Sequence, residues 1–309
     1  MDDAALDTRM RMAAFEHVRR LNEIHDSLTA AELSSGFTFE GERIPLLNPQ
    51  RGIFKPREMR FLLSIRTVFP RPGRKVRYDD QREVHRQIFD GDESIDYAFM
   101  GRDPDAAENR WLRQAWEQQV PIMYFLGIAP SRYQAIVPAF ISGWDGQGLK
   151  ARVAFGMPGH ETLGLPATAP ERRYALRAVK QRLHQASFRE AVITAYGNRC
   201  VLSGLPEPLL LDAAHIVPDK NEPLGQAVVP NGIPLSKIHH AAFDAHLIGI
   251  GPDYRLHVSD RLLGRNDGPM LEALKRLNGQ EIRLPARARD RPDLDRLALR
   301  FEWFRVAAG

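Results

Sequence analysis

Cysteine occurs once in 309 residues, at Cys200. One thiol cannot close an intramolecular disulfide or build a multi-cysteine zinc cage, and the shortage fits a reducing compartment, so a cytoplasmic location is expected. Long apolar runs are missing as well. Nowhere do about 18 uncharged apolar residues follow one another, so no membrane span is expected. The first residues, MDDAALDTRMRMAAFEHVRR, put acids where an export signal needs a basic start and lack a continuous apolar core. Internal repeats and low-complexity tracts are absent from the sequence. What is present is 43% hydrophobic content, enough over this length for a sizeable core and for two domains rather than a disordered chain. The net charge of +4 and pI of about 9.3 favour an anionic partner without identifying it.

Read in order, residues 4–29 carry Leu6, Met10, Phe15, Val18, Leu21, Ile24 and Leu28 at helical spacing, which predicts an amphipathic packing helix. From Phe37 the pattern shortens. FTFEGERIPLL, GIFKPREM and FLLSIRTVF, punctuated by Gly and Pro, suit strands and turns. KVRYDDQ and IDYAFMG follow, and the acids and aromatics Tyr78, Asp79, Asp80 and Tyr97 form a candidate pocket for a flipped base or small ligand, with solvated loop acids as the plainer alternative. ENRWLRQAWEQQ has helical spacing, with Trp111 and Trp116 as packing residues. PIMYFLGIAP, YQAIVPAFISGW and LKARVAFG read as hairpin or barrel strands closing a first domain.

MPGHETLGLPATAP is rich in Pro, Gly and Thr and suits a linker. The expected division is a recognition domain over 1–160, a linker over 161–170 and a second domain over 171–309. The second domain opens with a predicted helix. Its basic residues include Arg172, Arg173, Arg177, Lys180 and Arg182, a strip suited to phosphates and equally to a solvated helix face.

Four segments beyond this helix belong together: RCVLSGLP (199–206), DAAHIVP (212–218), NGIPL (231–235) and HHAAFD (239–244). In that order and spacing they resemble the HNH nuclease family, whose core is a β-hairpin followed by a helix gripping one divalent metal. The resemblance covers roughly residues 185–260. It implies His215 as general base, since neutral imidazole titrates near physiological pH and can take a proton from water. It implies Asn231, nine residues before His240, as the residue that ties down the loop and orients the base. Side chains four apart share a helix face, so His240 and Asp244 can point at one cation. This donor set suits Mg²⁺ first, with Mn²⁺ or Ni²⁺ as alternatives. His239 faces elsewhere, as a phosphate contact or a local support.

Two departures matter. Where many relatives place an acid or a second His directly before the base, this chain has Ala214, with Asp212 further upstream. Strand alternation points Asp212 opposite to His215, so Asp212 joins the metal side only if the strand bends. Where some relatives carry two CxxC pairs, this chain has Cys200, Ser203, Ser236 and His239, so no structural zinc is expected and Cys200 reads as a small buried hydrophobe.

The expected fold is α+β: an N-terminal β-rich, barrel-like domain with an N-terminal helix, then a ββα-metal domain. The expected activity is metal-dependent DNA endonuclease cleavage of the restriction-enzyme type, with double-stranded DNA as substrate. Because HNH domains grip backbone and metal, sequence or modification choice, such as modified cytosine, falls to the first domain. One centre cuts one strand, so double-strand cleavage calls for a homodimer or sequential nicks. The alternatives are an antiphage effector nuclease triggered by a small ligand or protein partner, and a DNA-binding protein whose HNH core no longer cuts.

Overall fold

A computed structural model describes residues 3–69, 87, 94–156, 168–219, 224–266 and 268–308. The chain divides into two compact units, Met1–Ala186 and Ser187–Gly309.

The first unit opens with helix α1 (Asp3–Ile24), which buries Met10, Ala14, Phe15 and Val18 at the spacing expected of an amphipathic helix. Asp7 and Arg11, one turn apart, are buried with them. The Arg11 guanidinium donates to Asp7 Oδ2 (2.8 Å), the Leu62 carbonyl (2.7 Å) and the Pro121 carbonyl (2.9 Å), while Asp7 Oδ1 accepts from the Phe61 amide (2.9 Å). Burial pushes the Arg11 pKa down against the pull of Asp7. A buried charge is tolerable only when paired and hydrogen-bonded, and this pair pins α1 to two distant segments.

After β1 (Leu28–Thr29) comes α2 (Ala30–Ser35), started by a capping box in which Thr29 and Glu32 exchange hydrogen bonds. β2 (Phe37–Phe39) and β3 (Glu42–Ile44) form the small hairpin that FTFEGERI predicts. The main sheet holds β4 (Ile53–Phe54), β5 (Ser64–Thr67), β6 (Ser94–Ala98), β7 (Ile122–Ala129), β8 (Arg132–Asp145) and β9 (Lys150–Phe155). Its order is β4-β5-β7-β8-β9-β6, with β1 also pairing β8. Only β5–β7 is parallel among these pairs; the rest are antiparallel. Register shifts in β8 against both β7 and β9 help a long strand curl the sheet into a half-barrel. The expected β-rich domain with an N-terminal helix is therefore present. Helix α3 (Ala107–Glu117) packs on this sheet, and Trp111 and Trp116 lie against its core. Tyr97 is itself a core residue: its hydroxyl donates to the carbonyls of Gly52 (3.0 Å) and Arg66 (3.2 Å), and its ring meets Tyr124 edge-on. Tyr78, Asp79 and Asp80 lie outside the described residues.

Helix α4 (Ala169–Ala195) is divided between the units. Up to Ala186 it buries Ala175, Leu176, Val179 and Leu183 in the first core, and from Ser187 it contributes Phe188, Val192 and Ile193 to the second. Residues 161–167 lie outside the described set, and Ala169 already begins the helix.

In the second unit, β10 (Leu211–His215) and β11 (Gly232–Ser236) pair antiparallel in a register that sets His215 opposite Gly232 and Asp212 opposite Leu235. Helix α5 (Lys237–Asp244) follows directly, because Ser236 is extended and its Oγ accepts from the His239 amide as N-cap (3.4 Å). This is the expected hairpin followed by a helix. A second hairpin, β12 (Ile248–Ile250) with β13 (Leu256–Val258), and helices α6 (Asp260–Leu263), α7 (Pro269–Lys275) and α8 (Leu294–Ala308) complete the unit. Leu211, Ala214, Ile233, Leu235, Phe243, Ile248 and Leu297 close its core. No helix among the described residues is long and apolar enough to cross a membrane.

Candidate active site

Hairpin β10–β11 and helix α5 bring His215, Asp212, His240 and Asp244 together. His240 sits between two carboxylates, with Nδ1 3.2 Å from Asp212 Oδ2 and Nε2 3.2 Å from Asp244 Oδ2. These hydrogen bonds push the His240 pKa up to about 9 against the opposing effect of burial. The same contacts hold Asp212 and Asp244 below the usual carboxylate range, again against burial. At neutral pH the group is an imidazolium flanked by two anions.

Asp212 thus stands on the His240 side, as strict alternation did not predict. Along β10, Ala214 is fully buried, whereas Asp212 and His215 are both half-buried and both within electrostatic reach of His240. β10 keeps an unbroken one-to-one register with β11, and α5 packs close enough to receive Asp212. Arg189 of α4 clamps the start of this strand, donating to the carbonyls of Pro208 (2.7 Å) and Leu211 (2.8 Å).

His215 is set by stacking. Its ring lies on Phe188 with centroids 4.1 Å apart and planes 15° from parallel. Burial pushes its pKa below the ordinary histidine value; Asp219 and Asp244 pull it up and His240 pushes it further down. The imidazole is therefore mostly neutral at pH 7, the form a general base requires. Its Nε2 is buried without a hydrogen-bond partner among the described residues.

The close approach of Phe188 explains Gly232. The dipeptide Asn231–Gly232 is no tight turn: Gly232 is extended, with φ of −133°. A Cβ there would come within 2.4 Å of Val192 Cγ2 and 2.7 Å of Phe188 Cζ. Only a residue without a side chain lets that ring lie against the strand pair beside His215.

Asn231 is fully buried and fully engaged. Its Oδ1 accepts from the Val217 amide (2.9 Å), and its Nδ2 donates to the carbonyls of Val217 (2.9 Å) and Gln226 (3.0 Å). Its own carbonyl accepts from the Ile216 amide (2.9 Å). The side chain laces the strand leaving His215 to the strand leading to α5. On the outer side of this loop, Arg296 of α8 donates to the Leu224 carbonyl (2.8 Å) and to Gln226 Oε1 (2.7 Å).

His239 is 9% exposed and turned toward Cys200, with Nδ1 3.4 Å from the sulfur; the Ser236 amide also donates to that sulfur at 3.4 Å. Burial alone would raise the Cys200 pKa, and hydrogen bonds with His239, Ser203 and Ser236 outweigh it, bringing the thiol to about 6. Cys200 is fully buried, as its reading as a small hydrophobe requires, but it is also a polar node. The positions where some relatives carry two cysteine pairs are joined here by this hydrogen-bonded cluster.

His246, half-buried, has φ of 53° and a buried Nδ1 without a partner among the described residues. Burial, then Arg300, push its pKa down. The basic strip expected on α4 lies in the first unit, where Arg173, Arg177 and Arg182 are exposed and Lys180 is half-buried. The side chain of Arg172 lies outside the described set.

The residue that sequence reasoning missed is Arg300. It lies in LALRFEWF on α8, expected only to pack, and is 5% exposed. It donates to the Phe243 carbonyl (2.9 Å) and approaches Asp244 Oδ1 (3.4 Å), with its guanidinium carbon 4.4 Å from the Phe243 ring centroid. Its signal was an arginine at helical spacing from the apolar Leu297, Trp303 and Phe304.

Two carboxylates and an imidazole are hard and borderline donors suited to Mg²⁺, Mn²⁺ or Ni²⁺. In the present arrangement the carboxylates lie on opposite edges of the His240 ring, and no group of three or more His, Cys, Asp or Glu side chains converges into a cage among the described residues. The donor chemistry fits a site with few protein ligands, completed by water and phosphate oxygens, rather than a tetrahedral structural site.

Residues 200–251 match the family model described as HNH endonuclease. No curated protein matches the chain. Among solved structures, a modification-dependent TagI restriction endonuclease is similar at 15% identity and a TM-score of 0.34, covering 83% of this chain and 86% of that one. The type IV phosphorothioation-dependent restriction endonuclease ScoMcrA is similar at 15% identity and a TM-score of 0.23, covering 63% of this chain and 48% of its own. The segment that forms the hairpin and helix is thus an HNH-nuclease-like domain.

Proposed function

We propose that this chain is a metal-dependent DNA endonuclease of the restriction type, with its cutting centre at His215, Asp212, His240 and Asp244. The observation that carries the reading is the convergence of a neutral, ring-stacked His215 with a His240 flanked by two carboxylates, on the hairpin and helix that match the HNH model. In this scheme His215 takes a proton from a water as that water attacks phosphorus, and the bond from phosphorus to the leaving sugar oxygen breaks. Phe188 fixes the plane of the base. Asn231 fixes the backbone that carries it. Asp244 and His240, the latter on losing the proton it carries between the carboxylates, would hold the divalent cation, which when bound supplies charge stabilisation at the phosphate and the leaving oxygen. Asp212, on the other edge of the ring, would orient the imidazole. Mg²⁺ is the first choice by abundance. His239, packed on Cys200, supports α5 from behind.

The first unit, with the exposed arginines of α4, is assigned the choice of DNA, and modified cytosine is the target proposed for it. Double-strand cleavage would need two copies or successive nicks. A nuclease gated by a small ligand is the second reading. It is favoured by a cleft of about 540 Å³ in the first unit, whose lining includes Arg19, His25, Gln134 and Arg182. Digestion of unmodified, methylated and hydroxymethylated duplexes with Mg²⁺, Mn²⁺ or EDTA tests both. Cutting restricted to modified duplexes in the presence of metal supports the first reading. Cutting of plain DNA only on addition of a cell-derived small molecule supports the second, and no cutting under any condition removes both.

A further inference from the structure

Arg300 lies on α8, beyond the 200–251 segment that matches the nuclease family, yet its guanidinium reaches back to the end of α5. One nitrogen serves two acceptors: the Phe243 carbonyl at 2.9 Å and Asp244 Oδ1 at 3.4 Å. The Phe243 ring, 4.4 Å from the guanidinium carbon, and the Trp303 ring, 5.9 Å away, flank the cation. The Arg300 side chain is only 6% exposed, while that of Asp244 is 59% exposed. A buried, doubly held donor therefore touches an acid whose side chain is largely exposed. The other oxygen of the same carboxylate, Oδ2, faces His240 at 3.2 Å. The two Asp244 oxygens thus have different neighbours, and only Oδ2 is directed to the cluster.

We infer that Arg300 is a positioning residue that occupies Asp244 Oδ1 and so presents the carboxylate to a cation through Oδ2 alone, selecting small octahedral divalent ions over calcium. The inference rests on the reading of Asp244 as a metal ligand. Its chemical basis is general. Ca²⁺ accepts bidentate carboxylates and flexible shells, whereas Mg²⁺ and Mn²⁺ sites are octahedral and are built from single oxygens and water. Outer contacts of this kind orient metal ligands. Arg300 also brings a positive charge near the site, which lowers affinity for any divalent cation. Absolute affinity therefore mixes two opposing effects, while the ratio of affinities for two divalent ions removes the charge to first order.

The test uses the full-length protein without DNA. Mn²⁺ binding is measured by electron paramagnetic resonance, and Ca²⁺ affinity by displacement of that Mn²⁺. Arg300→Lys keeps the charge but replaces the planar guanidinium that lies against Phe243 with a compact, strongly hydrated ammonium on a shorter stem, so no nitrogen is held at both acceptors. Arg300→Gln removes the charge. Both variants should shift the Ca²⁺-to-Mn²⁺ affinity ratio toward calcium by about ten-fold, the low end of what outer contacts contribute. Trp303→Leu, which removes a neighbouring ring and leaves the Asp244 contact, should lower the melting temperature with the ratio unchanged. If Arg300→Gln fails to fold, Arg300→Lys carries the test. A wild-type ratio in a folded Arg300 variant overturns the inference while leaving Asp244 a ligand, provided Asp244→Ala abolishes Mn²⁺ binding. Wild-type Mn²⁺ binding that survives Asp244→Ala overturns the ligand reading itself, and the inference with it.

Discussion

The imidazolium between Asp212 and Asp244 makes the stability of the second unit depend on pH in a defined window. His240 moves from an ordinary value of 6.5 to about 9 in the folded protein. A group whose pKa rises on folding stabilises fully below its unfolded value, and that contribution is lost as pH climbs through the folded value. The window is therefore about 6.5 to 9. At 1.36 kcal/mol per decade the ceiling is about 3.4 kcal/mol. Asp244 is 59% exposed and Asp212 32%, so solvent screening brings the expectation down to about 1–2 kcal/mol. The downward displacement of the two carboxylates expresses the same contacts and is not added. The assay is urea unfolding of wild type and His240→Gln in EDTA from pH 6 to 9.5, followed by circular dichroism and resolved into the transitions of the two units. Gln keeps hydrogen-bonding capacity, so part of the difference persists at every pH. The part assigned to charge should be largest at pH 6 and gone by pH 9.5. A difference that stays constant across the window would refute the account of the cluster as a charged pair of contacts.

Two further perturbations test the scaffold. Gly232→Ala places a methyl 2.4 Å from Val192 Cγ2 and 2.7 Å from Phe188 Cζ, and should cost about 1–3 kcal/mol. Because the ring it displaces holds His215, the variant should lose cleavage at temperatures where thermal melts show it still folded; Phe188→Leu in the same background should recover stability but not activity. Asn231→Ala strands the buried Val217 amide and two carbonyls and should cost about 2–4 kcal/mol, read as a lowered urea midpoint of the second unit.

Much of this site was legible before any coordinates. The hairpin and helix followed from the HNH resemblance that four segments carry, and the i, i+4 pair His240–Asp244 from helical geometry. The contact of Asp212 with His240 was not legible, because it depends on how closely α5 packs on β10 and not on strand alternation. Nothing local in NGIPL requires a glycine at position 232. Its cause is a ring from Phe188, more than forty positions earlier in the sequence, and local pattern holds no record of such an approach. Arg300 was hidden for the same reason: its partners, Phe243 and Asp244, are 57 and 56 residues away. In the first unit, Tyr97 carried an aromatic-and-acidic signature that suits a pocket, but the same alternation puts every second residue of β6 into the core, and Ile95 and Tyr97 lie there.

The central claim is that His215 is the base of a metal-dependent cutting centre, and cleavage by His215→Ala beside wild type, with and without EDTA, tests it most directly. Wild type should cut its preferred duplex with Mg²⁺ or Mn²⁺ and stop in EDTA. His215→Ala should bind the same duplex with nearly wild-type affinity and cut it about 10²–10⁴-fold more slowly. Undiminished cutting by His215→Ala would remove it as the base, and undiminished cutting in EDTA would contradict the metal-dependent centre itself.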